Sequence, residues 1–198
     1  MDGFLSSNNS NFQLFRSRRR KRVLALSGGG VRGIVEVAFL EAVEASYKRQ
    51  FGSSISLNDV FHLVGGTSTG AIIATAVSLG LPLSNVRDFY LERAARFFKK
   101  RRWLSRMRHR AAFDADALER EIINVIGEVT LGDPSLKTYL AIITKRLDTG
   151  STWILSNVPD APYFKDPEDN TYHGNHGYSV ARLLAASAAA PTYFDQRL

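Results

Sequence analysis

The sequence comprises 198 residues, of which 44% are hydrophobic and 23% are charged. This composition indicates a single globular domain with a buried core and excludes a disordered or fibrous chain. The absence of cysteine excludes disulfide bonds and thiolate zinc sites. No apolar stretch reaches the ~18 to 20 residues that span a bilayer, and the polar N-terminus lacks the apolar segment of a signal peptide. We therefore expect a cytoplasmic protein.

The chain is basic, with a net charge of +7. Such a charge favours anionic partners, namely phospholipid surfaces, nucleic acids or nucleotide ligands. The cations concentrate in two runs, residues 16–22 and 99–110. Each run is compatible with a solvated linker or face. The second run also contains Trp103, Leu104 and Met107, a mixture that suits a membrane interface or a phosphate-rich ligand.

We expect a basic, flexible arm over residues 1–22 and a domain over residues 23–198. The short apolar run VLALS at residues 23–27 predicts a buried strand. Over residues 32–47, apolar side chains recur every three or four positions, which predicts a helix with one buried face. These side chains are Ile34, Val35, Ala38, Phe39, Ala42 and Val43. The domain thus opens with a strand, a glycine loop and a helix.

A second strand, turn and helix are predicted next. The apolar run VFHLV at residues 60–64 predicts the strand, and Gly65 with Gly66 predicts the turn. Residues 69–79 are typical of a helix, which we expect to stop at Gly80.

The remaining elements follow from patterns of the same kind, with Ser84 expected to cap the first of them. They are helices over 84–100 and 114–126, a β-hairpin over 139–147 and 151–158, a surface loop over 159–178, and a helix over 179–191. Strands that alternate with helices predict an α/β fold, a three-layer sandwich with a mainly parallel central sheet.

The sequence SGGGVRG at residues 27–33 follows the first strand and opens the first helix. Gly28, Gly30 and Gly33 have the G-x-G-x-x-G spacing of a dinucleotide site, which also requires an acidic residue at the end of the next strand. That strand ends without a carboxylate. The loop can instead be an anion cradle, in which backbone N–H groups and Arg32 stabilise an oxyanion, or a tight turn without a ligand.

The sequence GTSTG at residues 66–70 matches the G-x-S-x-G pattern of a nucleophile elbow, and it stands between a predicted strand and a predicted helix. At so sharp a turn, a side chain at Gly66 or Gly70 would collide with neighbouring backbone. The turn raises the hydroxyl of Ser68 above the sheet, and we expect the N–H of Thr69 to point to the same place. Both glycine loops lie at the carboxyl edge of a parallel sheet, where they can meet.

Together with AASAAAPTYF at residues 185–194, these two loops resemble the patatin-like phospholipase family. The three motifs occur in the family's order and span most of the chain. The resemblance implies an α/β lipid acyl hydrolase with a serine and aspartate dyad. It implies neither a catalytic histidine nor calcium, so we expect no cofactor and no metal.

The resemblance also assigns residues to the site by their positions in the motifs. Ser68 is the implied nucleophile, and the implied oxyanion site comprises Gly28, Gly29, Gly30 and Arg32. Arg32 has two alternatives, since it could anchor a lipid phosphate or form a salt bridge at the start of the helix.

The dyad aspartate has no clear counterpart. Family members carry it in an Asp-Gly-Gly or Asp-Gly-Ala turn beyond the Ala-Pro segment, whereas this sequence reaches Leu198 without one. Asp2 precedes the first strand, and no glycine follows Asp195, so both are poor candidates. We therefore expect residues 23–198 to be the N-terminal part of a catalytic domain, with an exposed sheet edge and little activity of its own. The catalytic base is not identified.

Histidine offers an alternative base, because His173 and His176 follow the serine in the order of α/β-hydrolases. Both lie in a loop rich in Gly and Asn, so a surface role is the expectation, and a metal site there lacks a third ligand. Several aromatic residues could line an acyl pocket or, at helical spacing, belong to the core. They are Phe89, Phe97, Phe98 and Trp103, of which Trp103 could also contact a membrane.

The predicted function is hydrolysis of acyl esters in glycerophospholipids or related lipids, with Ser68 as the nucleophile of a protein that can bind the membrane surface. The alternative is a non-catalytic or nucleotide-regulated module that binds a phosphate ligand, as in antiviral phospholipases activated by a cyclic nucleotide. The expected partners are phospholipid and an anionic regulatory ligand, and nucleic acid is disfavoured. The sequence does not indicate an oligomeric state.

Overall fold

The computed structural model describes residues 21–94, 115–146, 148–169 and 171–189. The strands are β1 (Val23–Leu26), β2 (Leu63–Thr67), β3 (Tyr139–Lys145) and β4 (Thr152–Ser156). The helices are α1 (Gly33–Phe51), α2 (Leu57–Val60), α3 (Thr69–Leu79), α4 (Leu83–Asp88), α5 (Ala115–Ile126) and α6 (Val180–Ala188). Short 3-10 turns occupy Gly30–Arg32 and Asn175–Gly177, and a π-helical turn, Phe89–Ala94, continues α4.

The four strands form one sheet in the order β1-β2-β3-β4. Strand β2 lies parallel to β1 and β3, whereas β4 is antiparallel to β3. The register pairs Leu26 with Gly66 and Thr67 with Ile143, so the carboxyl ends of β1, β2 and β3 share one edge. This mainly parallel sheet with its helices confirms the predicted α/β class, and β3 with β4 forms the predicted hairpin.

Strand β1 is less buried than its apolar sequence predicts. Among the described residues it pairs only with β2, so it lies at an edge of the sheet. Leu24 and Leu26 pack against the core, but the alternate residues are exposed, and Val23 keeps 56% of its surface. The prediction of a fully buried strand is wrong because burial on both faces requires a cover on both faces.

Strand β2 starts three residues later than predicted. Residues Leu57–Val60 form the short helix α2, which Ser56 and Asp59 cap reciprocally, and the strand begins at Leu63. Gly65 and Gly66 therefore belong to the strand and not to the turn. The reason at Gly65 is steric, since a Cβ there would lie 2.9 Å from a backbone oxygen of β3.

Helix α1 buries only part of the face that the sequence predicts, since Ile34 and Val43 pack against the core. Its fully buried apolar side chains are Val37 and Leu40, while Val35 and Phe39 are each 68% exposed. The helix carries apolar residues around much of its circumference. Periodicity alone therefore does not identify which stripe meets the sheet.

Helix α3 is the centre of the core, since all of its residues are buried. It ends as predicted at Gly80, whose left-handed backbone (φ 68°) suits glycine. Helix α3 follows directly on Ser68, so the most buried helix of the described chain holds the elbow.

Helix α4 begins at Leu83 with Pro82 as its N-cap, two residues before the predicted cap at Ser84. Proline suits a helix start because its fixed φ is close to the helical value. An N–H group at this position would have no acceptor within the helix, so its absence costs nothing. Phe89 and Tyr90 are buried in the core. Phe89 is thus a core residue, and the part of the predicted helix beyond Ala94 lies outside the described residues.

The last helix, α6, starts at Val180, where the Ser179 hydroxyl accepts a hydrogen bond from the Arg182 N–H. It packs against β3 and α5. In the described part of the chain, no helix is both long enough and apolar enough to cross a membrane.

Candidate active site

Ser68 occupies a strained turn between β2 and α3. Its φ is 53° and its ψ is −124°, a conformation that residues with a side chain seldom adopt. The side chain is half-buried, which leaves part of it accessible to solvent. The turn has the features of a nucleophile elbow, as the sequence predicts.

Two glycines make this turn possible. A Cβ on Gly70 would lie 2.6 Å from the Leu26 carbonyl oxygen and 2.7 Å from the Ser27 oxygen. A Cβ on Gly66 would lie 2.6 Å from the backbone of Gly70. These distances confirm the predicted collisions, and they show that the end of β1 leaves no space for a side chain at either position.

The glycine loop after β1 packs directly against the elbow. The Gly28 N–H donates to Thr67 Oγ1 at 3.1 Å, and the Gly29 N–H donates to Thr69 Oγ1 at 2.9 Å. A Cβ on Gly28 would lie 3.1 Å from the Cβ of Ser68. The two loops thus meet, as their position at one sheet edge predicts, and the threonines on either side of Ser68 hold them together.

These bonds determine which amides remain available. In the described part of the chain, the N–H groups of Gly30 and Thr69 donate to no acceptor. Gly30 has a φ of 57° with open space around its Cα. The Arg32 side chain is exposed, and it forms no ion pair with a described residue. Among the described residues, the glycine loop and the elbow therefore offer the free N–H groups of Gly30 and Thr69 and the Arg32 guanidinium.

Helix α6 contacts the elbow through Ser187, a residue to which the sequence motifs assign no role. The Ser68 N–H donates to Ser187 Oγ at 2.8 Å, and the Ser187 hydroxyl donates to the Ile143 carbonyl oxygen at 2.7 Å. Ser187 lies in the AASAAAP segment, where it is the one hydroxyl among alanines. That isolated serine in an alanine run was the available signal.

A half-buried carboxylate and a buried phenol lie next to the glycine loop. The Glu36 Oε1 accepts from the Ser27 N–H, whereas its buried Oε2 has no hydrogen-bond partner in the described chain. The Tyr90 hydroxyl donates to the Thr69 carbonyl oxygen at 3.3 Å. Burial, together with the negative charge of Glu36, raises the pKa of Tyr90 far above its usual range. Tyr90 therefore remains a neutral donor that supports the first turn of α3.

The other candidate residues lie elsewhere or outside the described residues. His176 Nδ1 lies 3.2 Å from the Phe164 carbonyl oxygen and its Nε2 lies 3.8 Å from Asp166, and no hydrogen bond joins His173 or His176 to Ser68 within the described ranges. Asp195 lies outside those ranges. So do Phe97, Phe98, Trp103 and both basic runs, except for Lys21 and Arg22. No group of three or more acidic or histidine side chains that could hold a metal occurs in the described chain.

Comparisons of sequence place this site among known proteins. The profile of the family described as patatin-like phospholipase matches residues 24–198. A cGAMP-activated phospholipase of Vibrio cholerae is 28% identical over 89% of the chain and 50% of its own length. A cUMP-AMP-activated phospholipase of Escherichia coli is 31% identical over 89% of the chain and 49% of its own length. The chain thus spans about half the length of these curated relatives.

Comparisons of structure agree on the fold. VipD from Legionella pneumophila superposes with a TM-score of 0.53 at 16% identity, over 89% of this chain and 44% of that one. Full-length ExoU of Pseudomonas aeruginosa, solved in complex with SpcU, gives a TM-score of 0.51 at 17% identity, over 91% and 41%. Because the family profile covers nearly the whole chain and includes the elbow, the glycine loop and α6, the chain belongs to the patatin-like phospholipase family.

Proposed function

We propose that the protein is a lipid acyl hydrolase whose nucleophile is Ser68. The observation that carries the proposal is the strained backbone of Ser68 at the carboxyl edge of the sheet, with the glycine loop packed against it. Such strain persists only where the surrounding structure enforces it, and it concentrates at functional sites. Membership of the family supports a phospholipid as the substrate.

In the proposed reaction a base takes the proton of the Ser68 hydroxyl, and Oγ attacks the carbonyl carbon of the ester. Collapse of the tetrahedral intermediate breaks the ester bond, and the lysophospholipid leaves with the proton from the base. Water then attacks the acyl-enzyme, which releases the fatty acid and restores Ser68. We place the base, an aspartate by resemblance to the family, outside the residues that the structure describes.

The oxyanion of the intermediate requires donors near Ser68. Gly30 and Thr69 are the strongest candidates in our proposal because their amides are free in the described chain. Gly28 and Gly29, to which the sequence assigns the same role, could donate only after their bonds to the threonine hydroxyls open. The free Arg32 guanidinium adds positive charge that suits the oxyanion or the phosphate of a lipid headgroup.

We also propose that an anionic nucleotide regulates this activity. The observation in favour is that several relatives with matches over 87–89% of the chain are named for activation by cGAMP or cUMP-AMP. The corresponding alternative is a module that binds such a ligand and hydrolyses nothing.

The test compares Ser68→Ala with Ser46→Ala, which changes an exposed serine on α1. The polypeptide of the complete open reading frame is assayed for fatty-acid release from phospholipid vesicles, with and without cGAMP, and for labelling by a fluorophosphonate probe. We expect Ser68→Ala to lose at least about 10³-fold in rate and all labelling. Undiminished release from Ser68→Ala would overturn the mechanism. Stabilisation by the nucleotide with no labelling of the wild-type protein would favour the binding module.

A further inference from the structure

The backbone of Ser68 is held by a hydroxyl that comes from a distant part of the chain. Ser187 accepts the Ser68 N–H at 2.8 Å across a sequence separation of 119 residues. It donates its own proton to the Ile143 carbonyl oxygen at 2.7 Å. A serine hydroxyl has one proton and two lone pairs, so both bonds can form together.

The three partners belong to three elements that converge at the sheet edge. Ile143 lies on β3 and pairs in register with Thr67, the residue before Ser68. Ser187 lies in the last turn of α6, so its hydroxyl joins the elbow, a neighbouring strand and a helix. The direction of the Ser68 N–H is therefore fixed relative to the sheet and not only relative to α3.

This bond opposes relaxation of the elbow. A non-glycine residue at φ 53° and ψ −124° is strained, and it keeps that conformation only if its surroundings enforce it. The glycines remove collisions, but they do not pull the backbone into place. The Ser187 hydroxyl does, because rotation of the Ser68 peptide would leave the partly buried Ser68 N–H without its acceptor.

We propose that Ser187 is a positioning residue that aims the Ser68 hydroxyl at the substrate. The inference rests on the proposed function and adds to it a specific role for the last helix. The same bond also consumes the Ser68 N–H, which removes it from the donors available to an oxyanion.

The surroundings of Ser187 make the substitution Ser187→Ala unusually specific. The two residues on each side of Ser187 are alanines. A further alanine therefore fits the helix, and the substitution removes only the hydroxyl. Ser187→Thr restores a hydroxyl. Ser78→Ala is the matched control, since the Ser78 hydroxyl also donates to a carbonyl oxygen at 2.7 Å, that of Thr138, near the far end of α3.

The experiment uses the polypeptide of the complete open reading frame. It measures the rate constant for fluorophosphonate labelling of Ser68, kcat and KM on vesicles, and the urea midpoint of unfolding. For Ser187→Ala we expect labelling and kcat to fall about 10- to 100-fold with KM unchanged, because small misplacements of a nucleophile have effects of that size. Ser78→Ala should lose stability without that loss of rate. Ser187→Thr should recover most of the labelling rate and of kcat.

Three results would overturn the proposal. One is that Ser187→Ala labels as fast as the wild type, and another is that it slows no more than Ser78→Ala does. The third is read from amide exchange by NMR, which does not depend on catalysis: the Ser68 N–H exchanges at the same rate with and without the Ser187 hydroxyl. Failure of the proposed function gives a different result, because the wild-type protein itself would then resist labelling.

Discussion

Threonine side chains on either side of Ser68 connect the elbow to the glycine loop. Thr67 and Thr69 fill the variable positions of G-x-S-x-G, and their hydroxyls accept the amides of Gly28 and Gly29. The two bonds differ in environment, since the Gly28 bond is exposed and the Gly29 bond is partly buried. Water can replace the first partner more easily than the second.

We therefore predict that Thr69→Val destabilises the protein more than Thr67→Val. Valine keeps the branched shape but cannot accept a hydrogen bond. At Thr69, which is 1% exposed, the Gly29 N–H loses its partner, at a cost of about 1–3 kcal/mol in the free energy of unfolding. At Thr67 we expect less than about 1 kcal/mol. Urea unfolding of the two variants measures both values, and equal losses would contradict the proposed difference in burial.

Sequence patterns identify Ser68 but not the residues that hold it. The elbow follows from five consecutive residues, so a local motif predicts it. The Thr69 bond to Gly29 spans 40 residues and the Ser187 bond spans 119. Such contacts depend on how strands and helices assemble, which local patterns do not specify.

At the scale of elements, the turn from β2 to α3 depends on how closely β1 approaches it. Gly66 and Gly70 both face backbone atoms at the end of β1, which cannot move as a flexible side chain could. Paired glycines usually form turns, so the sequence predicts a turn at Gly65 and Gly66. Glycine is required at these two positions because the neighbouring strands and α3 approach them closely. The requirement thus comes from contacts between elements and not from a turn.

Gly70→Ala is accordingly predicted to be severely destabilising. The new methyl group would lie 2.6 Å from the Leu26 carbonyl oxygen, and overpacking of this kind costs about 1–3 kcal/mol or more. Gly177→Ala is the control, because its added Cβ meets no atom within 4 Å. Chemical denaturation compares the two. Similar midpoints for both variants would show that β1 can move away from the elbow.

The start of the β1–β2 pair contains a titratable contact. The Arg22 N–H donates to His62 Nδ1 at 3.1 Å, and the Arg22 side chain donates to the Val60 carbonyl oxygen. Burial and the positive charges of Arg22 and Lys21 lower the pKa of His62 below its ordinary 6.5. Only the neutral ring can accept the Arg22 N–H, so protonation and this bond exclude each other.

Stability is therefore expected to fall as the pH falls through the ordinary histidine pKa of 6.5 towards the lower pKa of His62 in the folded chain. In this window the unfolded chain takes up a proton at residue 62 more readily than the folded chain does, so the free energy of unfolding decreases. His62→Asn keeps an acceptor near the Nδ1 position but does not titrate, and it should flatten the dependence. His173→Asn, in the surface loop, is the control. An unchanged pH slope in His62→Asn would contradict the prediction.

At the scale of the whole molecule, the alternation of strands and helices predicts the fold class. It does not predict which strand lies at an edge of the sheet. The fold class is predictable because hydrophobic periodicity indicates which segments are helices and which are strands. The order of strands, and the exposure of β1 and of one face of α1, depend on packing between segments.

Half of the 26 lysines and arginines lie in the runs 16–22 and 99–110, which suits contact with an anionic surface.

We predict that salt weakens binding to anionic vesicles. Raising the salt from about 0.05 M to about 0.5 M shortens the screening length from more than 10 Å to less than 8 Å, which reduces attraction between exposed charges and lipid. Replacing the cations of residues 99–110 by glutamine should reduce vesicle co-sedimentation more than replacing an equal number of cations elsewhere in the chain. Binding that does not respond to salt would exclude this role for the basic runs.

The bond between Ser68 and Ser187 also has a consequence for biosynthesis. A ribosome adds about 5–20 residues per second, so the 119 residues that separate the two serines take on the order of ten seconds to synthesise. During that interval the nascent chain presents its elbow without the hydroxyl that aims it. On the proposed mechanism, the elbow reaches its full reactivity only after α6 has docked against it.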